Sequence, residues 1–412
     1  MGNIYAGIDL GTDSIKIVVA SYNDDKYYVL ASSCSPSFGI SHGFITDTKL
    51  AVSSVKNCLK KINDMLGIKI TKVIACIPPD NCKMDIVLGS CNIVDYQEIT
   101  GVDVKNVLMD AIKGQDLNND ELVTAMPINF TIDDKNVVSD PKGMKGTTLE
   151  TKLVISTVPK EPLYRILQVL KLSGLDTVDI CFTSVGDYFS IKNKKNSELV
   201  GAIVNIGEDF TNVSIFNRGI QIKNSVLQVG SNNVDKDISY VFKCNNIESR
   251  KIKENFAVCL TTYADSSDTL KIEQNDGEIR EVNQVGVSKI VEARVREILK
   301  LVKNEIKNLT NREIRYIIIT GGLSELAGFS YLVEQEFGFV AKVCNMPVIG
   351  VRHNKYSSCF GAIKYFHEKL ALRGTECEMI SREDERELTN VSTNQIDNEN
   401  MISKVFGHFF DN

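Results

Sequence analysis

Two short segments, half a chain apart, repeat one device. Gly7-Ile8-Asp9-Leu10-Gly11-Thr12-Asp13-Ser14-Ile15-Lys16 leads into an apolar run at 17–20, and Val204-Asn205-Ile206-Gly207-Glu208-Asp209-Phe210-Thr211 leads into 212–215. Each reads as a strand of β-branched residues, a tight turn opened by glycine, and a second strand. Asp9-x-Gly11 and Asn205-x-Gly207 hold the same register. A glycine at a hairpin tip lets backbone N–H groups face an anion with no side chain in the way. Two such tips facing each other across a cleft would cradle the phosphates of a nucleotide from both sides. Neither segment is a Walker or dinucleotide signature, because each loop runs into a strand rather than a helix.

A third element comes late. Ile317-Ile318-Ile319-Thr320-Gly321-Gly322-Leu323-Ser324, followed by Gly328, reads as a buried strand entering a Gly-Gly turn and then a helix. Such a turn bares backbone for a purine or ribose. Segment 80–158 has a different texture. Short strands at 84–88, 128–132 and 148–155, a helix near 102–112 and a polar loop at 116–121 predict a compact α+β insertion. Helical spacing over 162–171 leads into a strand at 178–182. After the second hairpin come the small-residue turn Val229-Gly230-Ser231-Asn232-Asn233 and a stretch, 236–315, with helices and a hairpin turning at 274–277. The helix at 287–309 has one apolar face, and a helix near 358–372 closes the second half.

Composition excludes several classes. The 412 residues suffice for two domains with separate cores, and a net charge of −6 argues against nucleic acid as a partner. The eleven cysteines form no Cys-x-x-Cys pair and several sit in apolar strands, so they read as reduced core residues of a cytosolic protein. The four histidines have no metal-ligand spacing. The N-terminus enters a strand at once, with Asp9 where a secretory signal needs an apolar core. No apolar run of about 18 residues is present, so membrane contact is expected to be peripheral.

Residues 373–400 hold eight acidic and three basic residues and few apolar ones, the composition of a disordered linker. The last twelve residues then partition cleanly. At about 100° per residue, Met401, Ile402, Val405, Phe406, Phe409 and Phe410 fall on one half of a helix and the polar residues on the other. This predicts a helix lying in an anionic membrane interface. Partial burial of six apolar side chains would yield roughly 6–10 kcal/mol. Ordering the helix costs about 1 kcal/mol per residue, and Lys404 adds only about 1 kcal/mol of lipid attraction. One tail should bind reversibly and an oligomer firmly, by avidity.

With these features the chain resembles the FtsA family, actin-like bacterial cell-division proteins, over nearly its whole length. The first hairpin is similar to the family's first phosphate motif. Gly39-Ile40-Ser41-His42-Gly43-Phe44-Ile45-Thr46-Asp47 resembles its Gly-Ile…Gly-x-Ile-x-Asp segment. Pro141-Lys142-Gly143-Met144-Lys145-Gly146…Leu149-Glu150 resembles its Pro-x-Gly-Met-x-Gly…Leu-Glu, and Val291-Glu292-Ala293-Arg294…Glu297-Ile298 its Arg-x-x-Glu helix. The resemblance implies an α/β actin-like ATPase fold of two duplicated ribonuclease H-like domains, an inserted subdomain and a C-terminal amphipathic helix. It divides the chain into a first core (1–79 and 159–197), an insertion (80–158), a second core (198–235 and 316–372), an outer subdomain (236–315), the linker (373–400) and the membrane helix (401–412).

It implies ATP and magnesium in the cleft between the domains. The contacts would come from Gly11, Thr12, Asp13, Ser14 and Lys16 of the first loop, and from Gly207, Thr211, Gly230 and Ser231 of the second. Arg250 and Lys253 would form one wall, with Gly321, Gly322, Leu323 and Ser324 at the purine end. Asp9 would meet magnesium or its water, with no direct metal ligand. The resemblance also implies self-assembly into filaments, binding of the C-terminal peptide of FtsZ by 236–315, contact with other division proteins, and a peripheral place on the cytoplasmic side of the cell membrane at the division site.

Departures from the family pattern shape the expected chemistry. Its second phosphate loop is usually Asp-x-Gly-Gly-Gly-Thr, where this chain has Asn205, Glu208 and Asp209. Asn is no base and no partner for hydrated magnesium. The acid expected to hold the ribose hydroxyls is Arg250, while Lys253 is kept. Weakened ATP binding and slow or absent hydrolysis are therefore expected. A superfamily kinase would need a catalytic carboxylate facing its acceptor, and a chaperone ATPase a peptide-binding domain after about residue 375. A PilM-like pilus scaffold is the nearest alternative, but would lack the 141–146 segment and the terminal helix.

Overall fold

The computed structural model describes residues 3–381 together with Glu383, Asp384 and Leu388. The membrane helix expected at 401–412 lies outside the described residues, as does most of the expected linker.

The repeat seen in two loops extends to two whole sheets. In the first, Asn3–Leu10, Ser14–Asn23 and Lys26–Pro36 form an antiparallel meander, and Lys72–Ile77 and Asp176–Phe182 add in parallel beside Asn3–Leu10. In the second, Val200–Ile206, Thr211–Asn217 and Ile220–Leu227 form the meander, and Tyr316–Thr320 and Ala341–Val343 add in parallel beside Val200–Ile206. The strands nearest each centre are apolar on both faces, as expected where helices cover both sides of a sheet. Each sheet centres its own core: Ile8, Ile17, Val73 and Phe182 in the first, Val204, Ile215, Val295 and Ile319 in the second.

The insertion is a third unit. Its sheet runs Lys83–Asn92, Thr148–Pro159, Asp120–Ile132, Asn136–Val138, with helix Gly101–Lys113 packed on one face. The strands outrun the predicted ones because apolar side chains also stand on an exposed face, as at Ile86 and Leu88, and mask the alternation. The Pro-x-Gly-Met-x-Gly segment has a structural task. Gly143, at φ +76, donates its N–H to the Ile99 carbonyl at 2.9 Å, and Ile99 returns a bond to the Met144 carbonyl at 2.7 Å. A Cβ on Gly146 would meet Ile132 Cγ2 at 2.4 Å. The segment thus seats the start of the insertion's helix.

The Gly39–Asp47 loop works similarly. Gly39, at φ +75, accepts the N–H groups of Thr46 and Asp47, and Asp47 then caps the helix Thr48–Leu66 through Lys49 N at 2.8 Å and Leu50 N at 3.0 Å.

Two differences from the sequence reading concern the C-terminal part. The helix Ser357–Arg373, expected with the second core, packs on the first sheet and crosses helix Thr183–Ile191. Three glycines allow this approach. A Cβ on Gly361 would sit 1.6 Å from the Gly186 carbonyl oxygen, one on Gly186 2.3 Å from Ser358 O, and one on Gly7 2.6 Å from Cys359 O. The helix is buried nearly all round in its first half, so no amphipathic stripe marks its partner. Packing also continues past residue 373, where the linker was expected to begin. Met379 is 4% exposed in the first core, with Cys377 and Ile380 against it.

Candidate functional site

The two hairpin tips, the Gly-Gly turn and the start of helix Ser357–Arg373 enclose a cleft between the two sheets. Its cavity of about 430 Å³ is in the range of small-molecule sites. The tips are built alike: Gly11 N donates to Ser14 O at 3.2 Å, and Gly207 N to Phe210 O at 3.0 Å. Sequence similarity at these loops is therefore similarity of backbone turn.

Among the predicted contacts, Gly11, Thr12, Asp13, Ser14, Lys16, Gly207, Ser231, Lys253, Gly321, Gly322 and Leu323 line the cleft, with Asp9 and Asn205 at its floor. Four do not. Thr211 is buried and gives its hydroxyl to Val229 O at 2.7 Å, a bond within its own sheet region. Gly230 lies beneath the second loop, where a Cβ would meet Glu208 O at 2.4 Å. Ser324 is buried, donating to Gly321 O at 2.7 Å and accepting from Asn354 Nδ2 at 2.9 Å. Arg250 is turned to acids at the rim rather than to a ribose position.

The charges are mostly spoken for. Lys16 Nζ lies 3.1 Å from Asp9 Oδ2. Burial pushes the Lys16 ammonium down and Asp9 more than offsets it, so its pKa is raised and it stays protonated. Lys253 Nζ pairs with Asp235 at 2.7 Å, both side chains buried. Glu208 takes Arg250 on one oxygen and Ser231 Oγ, at 2.9 Å, on the other. Asp209 accepts from His42 N at 3.2 Å and Asn232 Nδ2 at 3.2 Å. The acids read as hostile to phosphate each have a partner.

Asp187, which the sequence reading missed, lies under the floor. Its Oδ2 accepts from Asn205 Nδ2 at 2.7 Å, and its Oδ1 from Ser357 Oγ at 2.6 Å and Ser358 Oγ at 2.7 Å. Burial pushes its carboxyl up to about 6, against the pull of these three donors. The available signal was a single acid in the otherwise uncharged helix Thr183–Ile191.

The cleft offers polar atoms without protein partners, Asn354 beside the Gly-Gly turn and Asn212 on the second hairpin opposite Asn205. Asn212 Oδ1 and Asn354 Oδ1 are buried and find no donor among the described residues, and both residues line the cavity. A purine amino group or ribose hydroxyl is the kind of donor they lack. Gly321, at φ +96, passes so close to Ile206 O that a Cβ would lie 2.3 Å away, whereas Gly322 has nothing within 4 Å of its own Cβ position. Gly322 thus borders open cleft. Asp9 is paired, Asp187 is hydrogen-bonded and Asn205 is neutral. Of the other acids on the cleft lining, Glu325 accepts from Asn354 N at 2.6 Å and Glu254 is exposed.

Known proteins place these features. The family described as "Cell division protein FtsA" matches residues 202–361, and "SHS2 domain inserted in FTSA" matches 82–157. The cell division protein FtsA of Streptococcus pneumoniae serotype 2 (strain D39 / NCTC 7466) is 27% identical over 357 residues, covering 86% of this chain and 78% of the relative. That of Bacillus subtilis (strain 168) is 25% identical over 385 residues, covering 90% and 85%. Among solved structures, a chain of the PilM-PilN type IV pilus biogenesis complex is similar with a TM-score of 0.60 at 13% identity, covering 90% of this chain and 99% of that one. MreB5 of Spiroplasma citri bound to ADP gives 0.55 at 12%, covering 89% and 97%. The fold is that of the actin-like ATPases, with an inserted SHS2 domain.

Proposed function

Since the chain belongs to the FtsA family of cell-division proteins, we propose that it assembles with copies of itself and tethers FtsZ filaments to the cytoplasmic face of the cell membrane at the division site. The observation that carries this reading is the inserted subdomain, whose Pro-x-Gly-Met-x-Gly segment seats the start of its own helix, carried by an actin-like body. Neither a kinase nor a chaperone ATPase needs that part. Tail residues Met401, Ile402, Val405, Phe406, Phe409 and Phe410 supply the membrane contact. The outer subdomain receives the FtsZ peptide, and its exposed apolar side chains Tyr240, Ile247 and Ile279 support that role. Among the described residues no helix is long and apolar enough to cross a membrane.

ATP is the proposed ligand of the cleft. Asn354 and the Gly321–Gly322 backbone would hold the purine and ribose, and the N–H groups of the two tips and Lys16 the phosphates. Magnesium, bound with the nucleotide, would neutralise phosphate charge. Asp9 is the acid nearest to such a role, once Lys16 has turned to the phosphates. Because the second loop carries neutral Asn205 and Asp9 is engaged with Lys16, turnover is at most weak.

Flotation with liposomes and FtsZ polymers tests the tether. The wild type should carry FtsZ up with the lipid, and Phe406→Asp/Phe410→Asp should leave both behind. Lipid binding without FtsZ would instead favour a PilM-like scaffold, the reading to which the 0.60 TM-score lends weight. For the cleft, Gly322→Val should lower affinity for magnesium-ATP by about tenfold or more while leaving the melting temperature near wild type, since its side chain enters open space. Equal affinity in both proteins, read by calorimetry, would remove the nucleotide from this end of the cleft.

A further inference from the structure

Asp13 and Glu208 stand at the tips of the two hairpins, one on each side of the cleft mouth, and Arg250 touches both. Its Nη1 lies 2.5 Å from Asp13 Oδ1, its Nη2 bonds Glu208 Oε1, and its Nε is 3.8 Å from Asp235. The guanidinium is held from behind. Helix Asn246–Asn255 is pinned by buried Ser249 and Ile252 and by the Lys253–Asp235 pair, and Ser231 fixes the second oxygen of Glu208. Other ties cross the same gap: His42 N to Asp209, and Asn224 Nδ2 to Pro79 O at 3.1 Å.

Taken singly, an acid beside a phosphate loop and an arginine on the ribose wall both oppose a nucleotide. Together they cancel, as a planar guanidinium spanning two carboxylates. We propose that Arg250 is a latch that closes the cleft without nucleotide and selects against long phosphate chains. This deepens the nucleotide reading above and rests on it for the ligand. An adenine nucleoside can occupy the Asn354–Gly322 end with the latch intact. A triphosphate must reach between the tips, where it either displaces Asp13 from Arg250 or meets Asp9, Asp13 and Glu208 with its own charge. Closure and triphosphate binding thus become competitors rather than partners.

The test uses the full chain in two measurements. Hydrogen exchange without nucleotide should show slow amides in 11–16 and 205–211. Asp13→Asn and Arg250→Gln should speed them by about tenfold, as should about 0.5 M salt in the wild type. Asp13 is half-exposed, so its variant keeps the fold intact. Wild-type loops exchanging as fast as those of both variants would overturn the latch. Calorimetry with adenosine, magnesium-ADP and magnesium-ATP then reads selectivity. The wild type should bind ATP no better than ADP, and Asp13→Asn/Glu208→Gln, which removes both acids and frees Arg250, should gain about tenfold for ATP alone. A wild-type preference for ATP would overturn the selectivity. Failure of every protein to bind any of the three would overturn the nucleotide reading, while exchange would still decide the latch.

Discussion

Gly361→Ala is expected to be among the most damaging single changes in this protein, lowering stability by about 3 kcal/mol or more. The new methyl would sit 1.6 Å from Gly186 O, 2.5 Å from Gly186 C and 2.6 Å from Ser190 N. These are backbone atoms in the middle of a helix, so no side-chain rotation relieves the clash. The two helices must separate, and the first core loses its packing at Phe360 and Ile363. Gly114→Ala is the control, since Gly114 already has φ −79 and nothing within 4 Å of its Cβ position. Urea unfolding followed by circular dichroism should show a large drop in midpoint for the first variant and almost none for the second. Similar midpoints would mean the crossing is looser than described.

Asn205→Asp, which restores the family's usual acid, is the second large expected effect. The new carboxylate would face Asp187 across 2.7 Å with no cation between them. One proton must then be shared by the pair, or the protein carries uncompensated buried charge at about 3–5 kcal/mol. The pH dependence has a definite sign. In the wild type Asp187 is raised to about 6 from 3.8, so the folded state keeps a proton that the unfolded chain releases. Its contribution therefore favours folding at low pH and declines as pH rises from about 4 to 6, by about 3 kcal/mol, and is flat above. Asn205→Asp should extend that decline to higher pH, and Asp187→Asn should abolish it. Melting temperatures across pH 4–8 check both, and identical profiles in all three proteins would refute the account. Turnover should rise little in Asn205→Asp, because the restored acid is engaged with Asp187 rather than with a phosphate.

What could be read in the sequence was whatever leaves a local trace. The two hairpins and the Gly321-Gly322 turn are short-range patterns of glycine and β-branched residues, and the structure puts them around one cavity. The insertion announced itself through Pro141–Gly146, whose backbone geometry only glycine accommodates at 143. What escaped is non-local. Arg250 and Asp13 are 237 residues apart, so Arg250 looked like a misplaced charge and Asp13 like a nucleotide contact until the fold set them side by side. Asp187 and Ser357 are 170 apart, and nothing near either residue discloses that they share a proton donor's bond. Thr211 and Ser324 have the right identity for ligand contacts, but their hydroxyls satisfy neighbouring carbonyls instead. The core's continuation to Met379 was masked because one buried methionine among acidic residues carries no periodicity.

The crossing at Gly186 and Gly361 also limits how the molecule can move. A carbonyl held this close to a glycine leaves no clearance for sliding. Both helices pack in the first core, so the contact locks them as one unit beneath the cleft. Asp187, next to Gly186, and Ser358, three residues before Gly361, ride on that unit, and the seat they make for Asn205 is held to the same tolerance.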